Sequence, residues 1–184
     1  MPETRALHEG NKNSFKLMKN FEEALKVIKE RDVPLSSLTL ASMLASLNEL
    51  GLLNQGTVGV LSKYFTPRIL AYFVAHGLVD PKKGIEENLK VMFSEYGYSE
   101  DEYEVEANEN SLKISVVTKR CKICPKGVGG AELEGAACPL PYMVAAALTL
   151  MDGREWRPKL VSNGGRMKAV VKEDERCVTV IERT

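Results

Sequence analysis

The sequence predicts an α+β fold in which N-terminal helices pack on an antiparallel β-sheet, with a short helix inserted between the strands. Apolar residues recur at helical spacing up to about residue 96, and from residue 103 they alternate with polar residues. One more helical segment and several short strand-like segments complete the chain. Helices followed by antiparallel strands are typical of an α+β domain.

The first two predicted helices lie at the N-terminal end. The first begins at Ser14 and ends before Pro34, because proline disfavours helical geometry in the residue that precedes it. The second covers about residues 35–50 and stops at Gly51, since glycine readily adopts the conformation that ends a helix.

Two further helices are predicted before the strands. One helical unit covers about residues 58–76, where Thr66 followed by Pro67 is a helix-start signal and predicts a fresh helix at that point. The next covers about residues 81–96 and ends at Gly97.

The remaining segments predict the sheet. Residues 103–107 and 112–116 form a hairpin with one buried face, and residues 108–111 supply its turn. A short helix opens just after Cys138 and ends at Gly153. Up to three more strands follow, over Trp156–Ser162, Arg166–Val171 and Cys177–Glu182.

These elements predict one domain. We expect residues 1–13 to be a flexible tail and residues 14–184 to form a single α+β domain. Within it, residues 14–50 form a helical extension and residues 51–184 form the core.

Composition excludes several classes of function. The 25 basic and 25 acidic residues cancel, which argues against nucleic acid as the main partner, since binding phosphates needs a basic surplus. No apolar run approaches the roughly 20 residues of a membrane span, and the polar N-terminus lacks the apolar core of a signal peptide. We therefore expect a cytoplasmic protein. No arrangement typical of a catalytic site stands out, so no catalytic residue is predicted and enzymatic activity stays open.

The four cysteines predict a structural zinc site. Cys121 and Cys124 form a C-x-x-C pair, and Cys138 directly precedes a predicted helix, whose backbone amides favour a thiolate. Cys177 begins the last predicted strand, which can pair with the strand that leads to Cys121. This pairing brings the four sulfurs to one end of the sheet.

Other interpretations of these cysteines stay open. An iron–sulfur cluster also takes four cysteines, although the compact ferredoxin spacing is missing. A redox dithiol normally opens a helix, whereas Pro125 and glycines follow here. Phosphate binding by the glycine-rich loop has no supporting fingerprint. The remaining alternative is a set of small thiols without a ligand.

The element order also resembles a known family. The stretch from Leu38 to Ile181 resembles the 4-vinyl reductase domain, which is related to vesicle-tethering and haem nitric-oxide-binding proteins. The hairpin YEVEANENSLKISVV, the helix CPLPYMVAAALTLMDG and the closing segment MKAVVKEDERCVTVI carry the resemblance. It puts Cys121, Cys138 and Cys177 at family cysteine positions. The sequence departs from the pattern at Ala169, where a further cysteine is common, and Cys124 is expected to replace that thiolate.

The resemblance implies a domain that is often a homodimer and binds a hydrocarbon- or tetrapyrrole-like molecule in an apolar pocket between helices and sheet. The side chains expected at this pocket, or otherwise in the core, are Phe65, Tyr72, Phe73, Met92, Phe93, Tyr142 and Met143, with Phe65, Tyr72, Phe73 and Tyr142 as the predicted ligand-binding residues.

The leading hypothesis is thus a small-molecule-binding domain that is stabilised by zinc on the four cysteines. A second is an enzyme of the vinyl-reductase type, acting with a partner or through a cluster because no dinucleotide-binding fingerprint is present. A third is a non-catalytic assembly subunit, in which the helices at 15–31 and 35–50 bury a partner's surface.

Overall fold

Four α-helices and seven short strands occupy residues 34–123 and 138–184 of this computed structural model, which also describes Phe21, Leu25, Lys26, Ile28 and Lys29 as helical. The predicted α+β class is confirmed. The helices are α1 (Leu35–Glu49), α2 (Gln55–Ala75), α3 (Ile85–Glu95) and α4 (Leu140–Asp152). The strands are β1 (Tyr103–Ala107), β2 (Ser111–Val117), β3 (Trp156–Pro158), β4 (Val161–Asn163), β5 (Arg166–Lys168), β6 (Val171–Glu173) and β7 (Arg176–Arg183).

The main sheet is antiparallel and has the order β1-β2-β7-β3. Strand β6 pairs with the first half of β7, on the same edge where β3 pairs with its second half. Strands β4 and β5 form a separate hairpin. The inserted helix α4 lies between β2 and β3 in the chain, as the sequence predicts.

The core lies between the sheet and the helices. Leu112, Ile114 and Val116 alternate along β2 and are buried, which is the pattern expected of a strand with one face toward a core. They share one apolar cluster with Leu148 of α4 and Ile181 of β7, and residues of α2 and α3 complete it. This packing holds α2 and α3 on the sheet, whereas Leu44 of α1 belongs to a second, smaller apolar cluster.

The predicted helix start at Thr66-Pro67 is wrong, because α2 continues through Pro67. Its actual start is a capping box, in which the Thr57 backbone N–H donates to Asn54 Oδ1 at 3.0 Å and the Asn54 N–H donates to Thr57 Oγ1 at 2.8 Å. A proline within a helix removes one backbone hydrogen bond but can be tolerated when tertiary packing supports the helix.

Two predicted strands are each divided in two. The strand predicted at residues 156–162 is divided between β3, which belongs to the main sheet, and β4, which belongs to the small hairpin. Pro158 lies at the division, and a proline has no N–H with which to continue a ladder. Residues 166–171 are likewise shared between β5 and β6.

None of the helices within the described residues is long and apolar enough to cross a membrane.

Candidate functional site

A small cavity lies where α2, α3 and α4 meet, beside the chain that follows β2. The total open space between its walls is about 370 Å³, a volume that includes the part open to solvent. Only about 20 Å³ of this space can hold a water-sized molecule. That smaller volume is about the size of a single water. The lining residues are Thr66, Ile69, Leu89, Met92, Phe93, Tyr96, Ile123, Leu140, Met143 and Val144.

Two hydroxyl groups at this cavity lack hydrogen-bond partners among the described residues. They are Thr66 Oγ1 on α2 and Tyr96 OH, which directly follows α3. Thr66 is only 1% exposed, and the hydroxyl oxygens of both residues are shielded from solvent. A buried hydroxyl without a partner lowers the free energy of unfolding by about 1–3 kcal/mol. Either hydroxyl could accept a hydrogen bond from another molecule or donate one to it.

Two more buried polar atoms, Ser62 Oγ and Gln55 Oε1, also lack partners among the described residues, whereas other buried polar side chains have them. The Asn88 side chain donates to the Asp80 carbonyl at 2.7 Å and accepts from the Asp80 N–H at 3.1 Å. Thr179 Oγ1 donates to the Ala169 carbonyl at 2.7 Å. Most buried polar groups in proteins are satisfied, so the two hydroxyls at the cavity belong to a small set of exceptions in the described part of the chain.

The Tyr96 hydroxyl stays protonated over the physiological pH range. Burial raises the pKa of Tyr96 to about 12, because the low-dielectric surroundings disfavour a phenolate. Its ring lies edge-on to Phe73, with 6.3 Å between the ring centroids. The group therefore offers both a hydrogen-bond donor and an acceptor at a fixed place on the cavity wall.

Ile123 also lines the cavity, and a polar network holds the residues directly before it. The Lys122 backbone N–H donates to Tyr98 OH at 2.9 Å, and that hydroxyl lies 3.2 Å from Cys121 Sγ. The Lys122 ammonium also forms an ion pair with Glu102 at 3.4 Å, and both side chains are buried. These contacts join the segment after β2 to the residues before β1 and thereby position Ile123.

Three of the four cysteines lie in the described part of the chain. Cys121 is buried beside Tyr98, as described above. Cys177 is half-buried on β7 opposite Val116 of β2, and its sulfur lies 3.5 Å from Thr118 Oγ1. The predicted pairing of the last strand with the strand that leads to Cys121 is therefore confirmed.

Cys138 lies just before α4 and is a poor thiolate in this arrangement. Burial is the main cause that raises the pKa of its thiol far above the usual range. Neighbouring Cys121 and Cys177 raise this pKa further, because a second anion nearby would repel the thiolate, whereas the Leu140 backbone N–H lowers it.

The predicted zinc site is not formed by these three residues alone. Within residues 34–123 and 138–184, no group of three or more His, Cys, Asp or Glu side chains is placed to hold a metal ion. Cys124, the fourth predicted ligand, lies outside the described residues. Zinc on Cys121, Cys124, Cys138 and Cys177 therefore stays a prediction, as does the alternative iron–sulfur cluster.

None of the four predicted ligand-binding residues lines the cavity. Phe73 is buried in the core, and Phe65 is half-buried against the core. Tyr72 is exposed, and Tyr142 packs against a second, smaller apolar cluster that contains Leu44 and Val58. A ligand-binding role for these four side chains stays a prediction. Met92, Phe93 and Met143, which the sequence also places at a pocket or in the core, do line the cavity.

Sequence reasoning missed the two hydroxyl-bearing residues. Because Thr66 was interpreted as a helix cap, its place in the cavity lining was not predicted. Thr66 lies on the buried face of a continuous helix. The available signal was a polar residue among apolar ones at helical spacing, together with Ser62 one turn earlier, which is also buried. Tyr96 carried no such signal, because tyrosines near helix ends commonly serve as core residues.

Comparison with known proteins gives a family match and a partly similar relative. The profile of the MJ0207 family matches residues 51–183. A protein named Uncharacterized protein MJ1342, from Methanocaldococcus jannaschii, is 32% identical over 65 residues, which are 35% of this chain and 54% of that protein. The chain therefore spans about half the length of this relative. No solved structure shows a significant match.

These findings overturn the resemblance to the 4-vinyl reductase domain, which is wrong. The family match and the relative indicate a different family, and neither shows a 4-vinyl reductase domain. The three motifs that carried the resemblance are an alternating hairpin, a helix opened by a cysteine and a closing strand. These features follow from the α+β architecture itself, so they recur without common descent. The vinyl-reductase hypothesis has no remaining basis in this resemblance.

Proposed function

We propose that this chain, which belongs to the MJ0207 family, binds a small, mainly apolar molecule between α2, α3 and α4. The whole cavity lies within residues 51–183, which match the family profile. The observation that carries this proposal is the pair of buried, unpartnered hydroxyls, Thr66 Oγ1 and Tyr96 OH, in an otherwise apolar wall. Ligand sites commonly combine apolar walls with a few placed polar groups.

The lining favours a neutral ligand. Its ten residues include no Asp, Glu, Lys, Arg or His. Apart from backbone groups, the polar groups among these ten residues are the hydroxyls of Thr66 and Tyr96. Burying an ion in such surroundings without a counter-charge is strongly unfavourable. A molecule with an apolar body and one hydroxyl or carbonyl group satisfies the two hydroxyls and fills the apolar space.

Adjustable side chains make room for such a ligand. Met92 of α3 and Met143 of α4 both line the cavity, and methionine adapts its shape because it has several rotatable bonds and no branching. Rotation of these side chains enlarges the space from the volume of one water toward that of a small organic molecule.

The first prediction compares phenol with benzene, which share one shape and differ by a hydroxyl. We expect phenol to raise the melting temperature of the protein more than benzene does, since only phenol bonds to Thr66 and Tyr96. In the double variant Thr66→Val/Tyr96→Phe this preference is expected to disappear. The loss should correspond to roughly 1–3 kcal/mol of binding free energy, or about five- to 150-fold in affinity. Calorimetric titration measures the affinity for each compound, and thermal melting measures the change in melting temperature.

Thr179→Val is the matched control for the change at Thr66. It removes a buried hydroxyl that already donates to Ala169, so it should lower the free energy of unfolding by about 1 kcal/mol and leave the phenol preference intact. Thr66→Val removes a hydroxyl without a partner and should leave the unliganded protein as stable or make it more stable. Equal responses to phenol and benzene in the unaltered protein would contradict the proposed site.

The zinc site and the cytoplasmic location are further proposals that stand beside the binding site. The pairing of Cys177 on β7 with Val116 on β2, the strand that leads to Cys121, supports the zinc site, because it brings two cysteine-bearing segments together. Elemental analysis of untagged protein, purified without chelator, tests it.

A further inference from the structure

Strand β1 is one edge of the main sheet, and one side of its backbone has no hydrogen-bond partner within residues 34–123 and 138–184. In the sheet order β1-β2-β7-β3, β1 pairs with β2 alone. The Asn108 N–H donates to the Ser111 carbonyl at 2.9 Å, so Asn108 is a hydrogen-bonded position of the β1–β2 hairpin. Such positions alternate along an antiparallel pair, so Glu104 and Glu106 also bond to β2. The backbone groups that point outward are therefore those of Tyr103, Val105 and Ala107.

A groove of about 440 Å³ follows this free edge. It is lined by residues 103–106 of β1, by Glu86 and Lys90 of α3, and by Glu100 in the turn before β1. Consecutive residues of a strand point to opposite faces, so a groove that contacts four of them in a row runs along the edge of the strand. An extended peptide can add to such an edge as a further strand.

The groove is acidic. Lys90 is the one basic residue of its lining, whereas four residues of the lining are glutamates. Glu104 pairs with Arg176 of β7 at 3.0 Å, and its side chain remains 59% exposed. Glu106 pairs with Lys113 of β2 at 3.7 Å, and its side chain remains 67% exposed. Because exposed ion pairs contribute little to stability, both carboxylates are available to a further cation.

We propose that an extended segment of a partner protein, in which Lys or Arg alternates with apolar residues, adds as a strand to the free edge of β1. The main chain of this segment bonds to the outward groups of Tyr103, Val105 and Ala107. Its basic side chains lie on the outer face beside Glu104 and Glu106, because opposite charges on neighbouring strands stabilise their pairing. Its apolar side chains lie on the other face, where they cover the half-buried Val105.

The charges on β1 disfavour a second copy of this chain as the occupant. Pairing of β1 with β1 of another copy would bring glutamates of the two strands together, and like charges on neighbouring strands are destabilising. Charged side chains on an edge strand are a common protection against such self-association. The same charges favour a basic segment.

The test measures the binding of a fluorescein-labelled peptide of three Lys-Val repeats to the whole chain by fluorescence anisotropy. Glu104→Gln/Glu106→Gln should weaken binding about two- to thirtyfold, because two favourable charge pairs are lost. Glu173→Gln/Glu175→Gln is the matched control, since it also removes two exposed glutamates that are two positions apart but lie outside the groove. The control should leave the affinity unchanged.

Hydrogen exchange, followed by NMR in the unaltered protein, distinguishes strand addition from attraction between opposite charges. Bound peptide should slow exchange at the amides of Tyr103, Val105 and Ala107, which become hydrogen-bonded. The amides of Glu104 and Glu106 already bond to β2 and should change less.

Three results would overturn the proposal. The first is the absence of binding at about 1 mM peptide, which is the limit of a weak interaction. The second is an equal loss of affinity in the two double variants, which would indicate attraction to the net charge of the protein. The third is unchanged exchange at the three outward amides in the presence of bound peptide.

Discussion

Glu102→Gln is expected to lower the free energy of unfolding by about 3–5 kcal/mol, because it leaves the Lys122 ammonium buried without its counter-charge. The Glu102 and Lys122 side chains are 4% and 5% exposed and lie 3.4 Å apart. The Ser99 backbone N–H donates to the same carboxylate at 3.1 Å, and Arg120 approaches it at 3.5 Å. The amide of glutamine preserves the contact with Ser99 but removes the charge.

The matched control is Glu182→Gln. Glu182 lies 2.6 Å from Lys159, which is shorter than the buried pair, but the two side chains are 43% and 53% exposed. Pairs exposed to solvent contribute about 0–1 kcal/mol, so this change should have little effect. Urea unfolding at pH 7, followed by circular dichroism, measures both variants. A loss in Glu102→Gln no larger than that in Glu182→Gln would show that the buried network is not what fixes the wall at Ile123.

Leu148→Ala is the second change with a large expected effect, at about 2–5 kcal/mol. Leu148 lies on α4, is 0% exposed and belongs to the apolar cluster that joins this helix to the sheet. Removing most of its side chain takes away buried apolar area and leaves a cavity that the neighbouring elements fill only in part.

Leu150→Ala, on the same helix, is its control. Leu150 is 50% exposed, and exposed substitutions usually change stability by less than about 0.5 kcal/mol. The two changes share the helix and the amino acids involved, so the difference between them measures burial. Unfolding in urea should separate the variants by at least about 1.5 kcal/mol. Equal stabilities would contradict the assignment of the core to the α4–sheet contact.

Much of the fold follows from local signals in the sequence. The alternation at residues 103–107 and 112–116 predicted β1 and β2, and the buried side chains of the two strands are apolar except for Ser115. Helix α1 ends at Gly51 and α3 at Gly97, whose φ values of +71° and +84° lie in the left-handed region that favours glycine. The family match at residues 51–183 spans nearly the same residues as the predicted core at 51–184, and the domain organisation itself remains a prediction.

The errors in the fold come from tertiary contacts that local signals do not contain. Thr66-Pro67 carries a helix-start signal, but α2 begins earlier, at the capping box of Asn54. Tertiary packing then stabilises the helix across Pro67. The predicted strand at 156–162 had no visible break, yet its first part pairs with β7 and its second with β5. Pairing partners decide such boundaries, and they are distant in sequence.

Of the residues that line the cavity, the sequence pointed only to Met92, Phe93 and Met143, as side chains at a pocket or in the core. The cysteines lie outside this lining, and the pairing of Val116 with Cys177 confirms the approach of two chain segments that the sequence suggested. The cavity could not be predicted, because it is the small volume left over when three helices pack. Thr66 and Tyr96 are 30 positions apart, so their meeting at one wall depends on how α2 and α3 are oriented.

The most direct test of the central claim is a crystal structure of the protein grown with phenol. We predict phenol in the cavity between α2, α3 and α4, with its oxygen about 2.5–3.0 Å from Thr66 Oγ1, from Tyr96 OH or from both. A cavity that holds only an ordered water on these two hydroxyls, while phenol is absent from it, would contradict the claim.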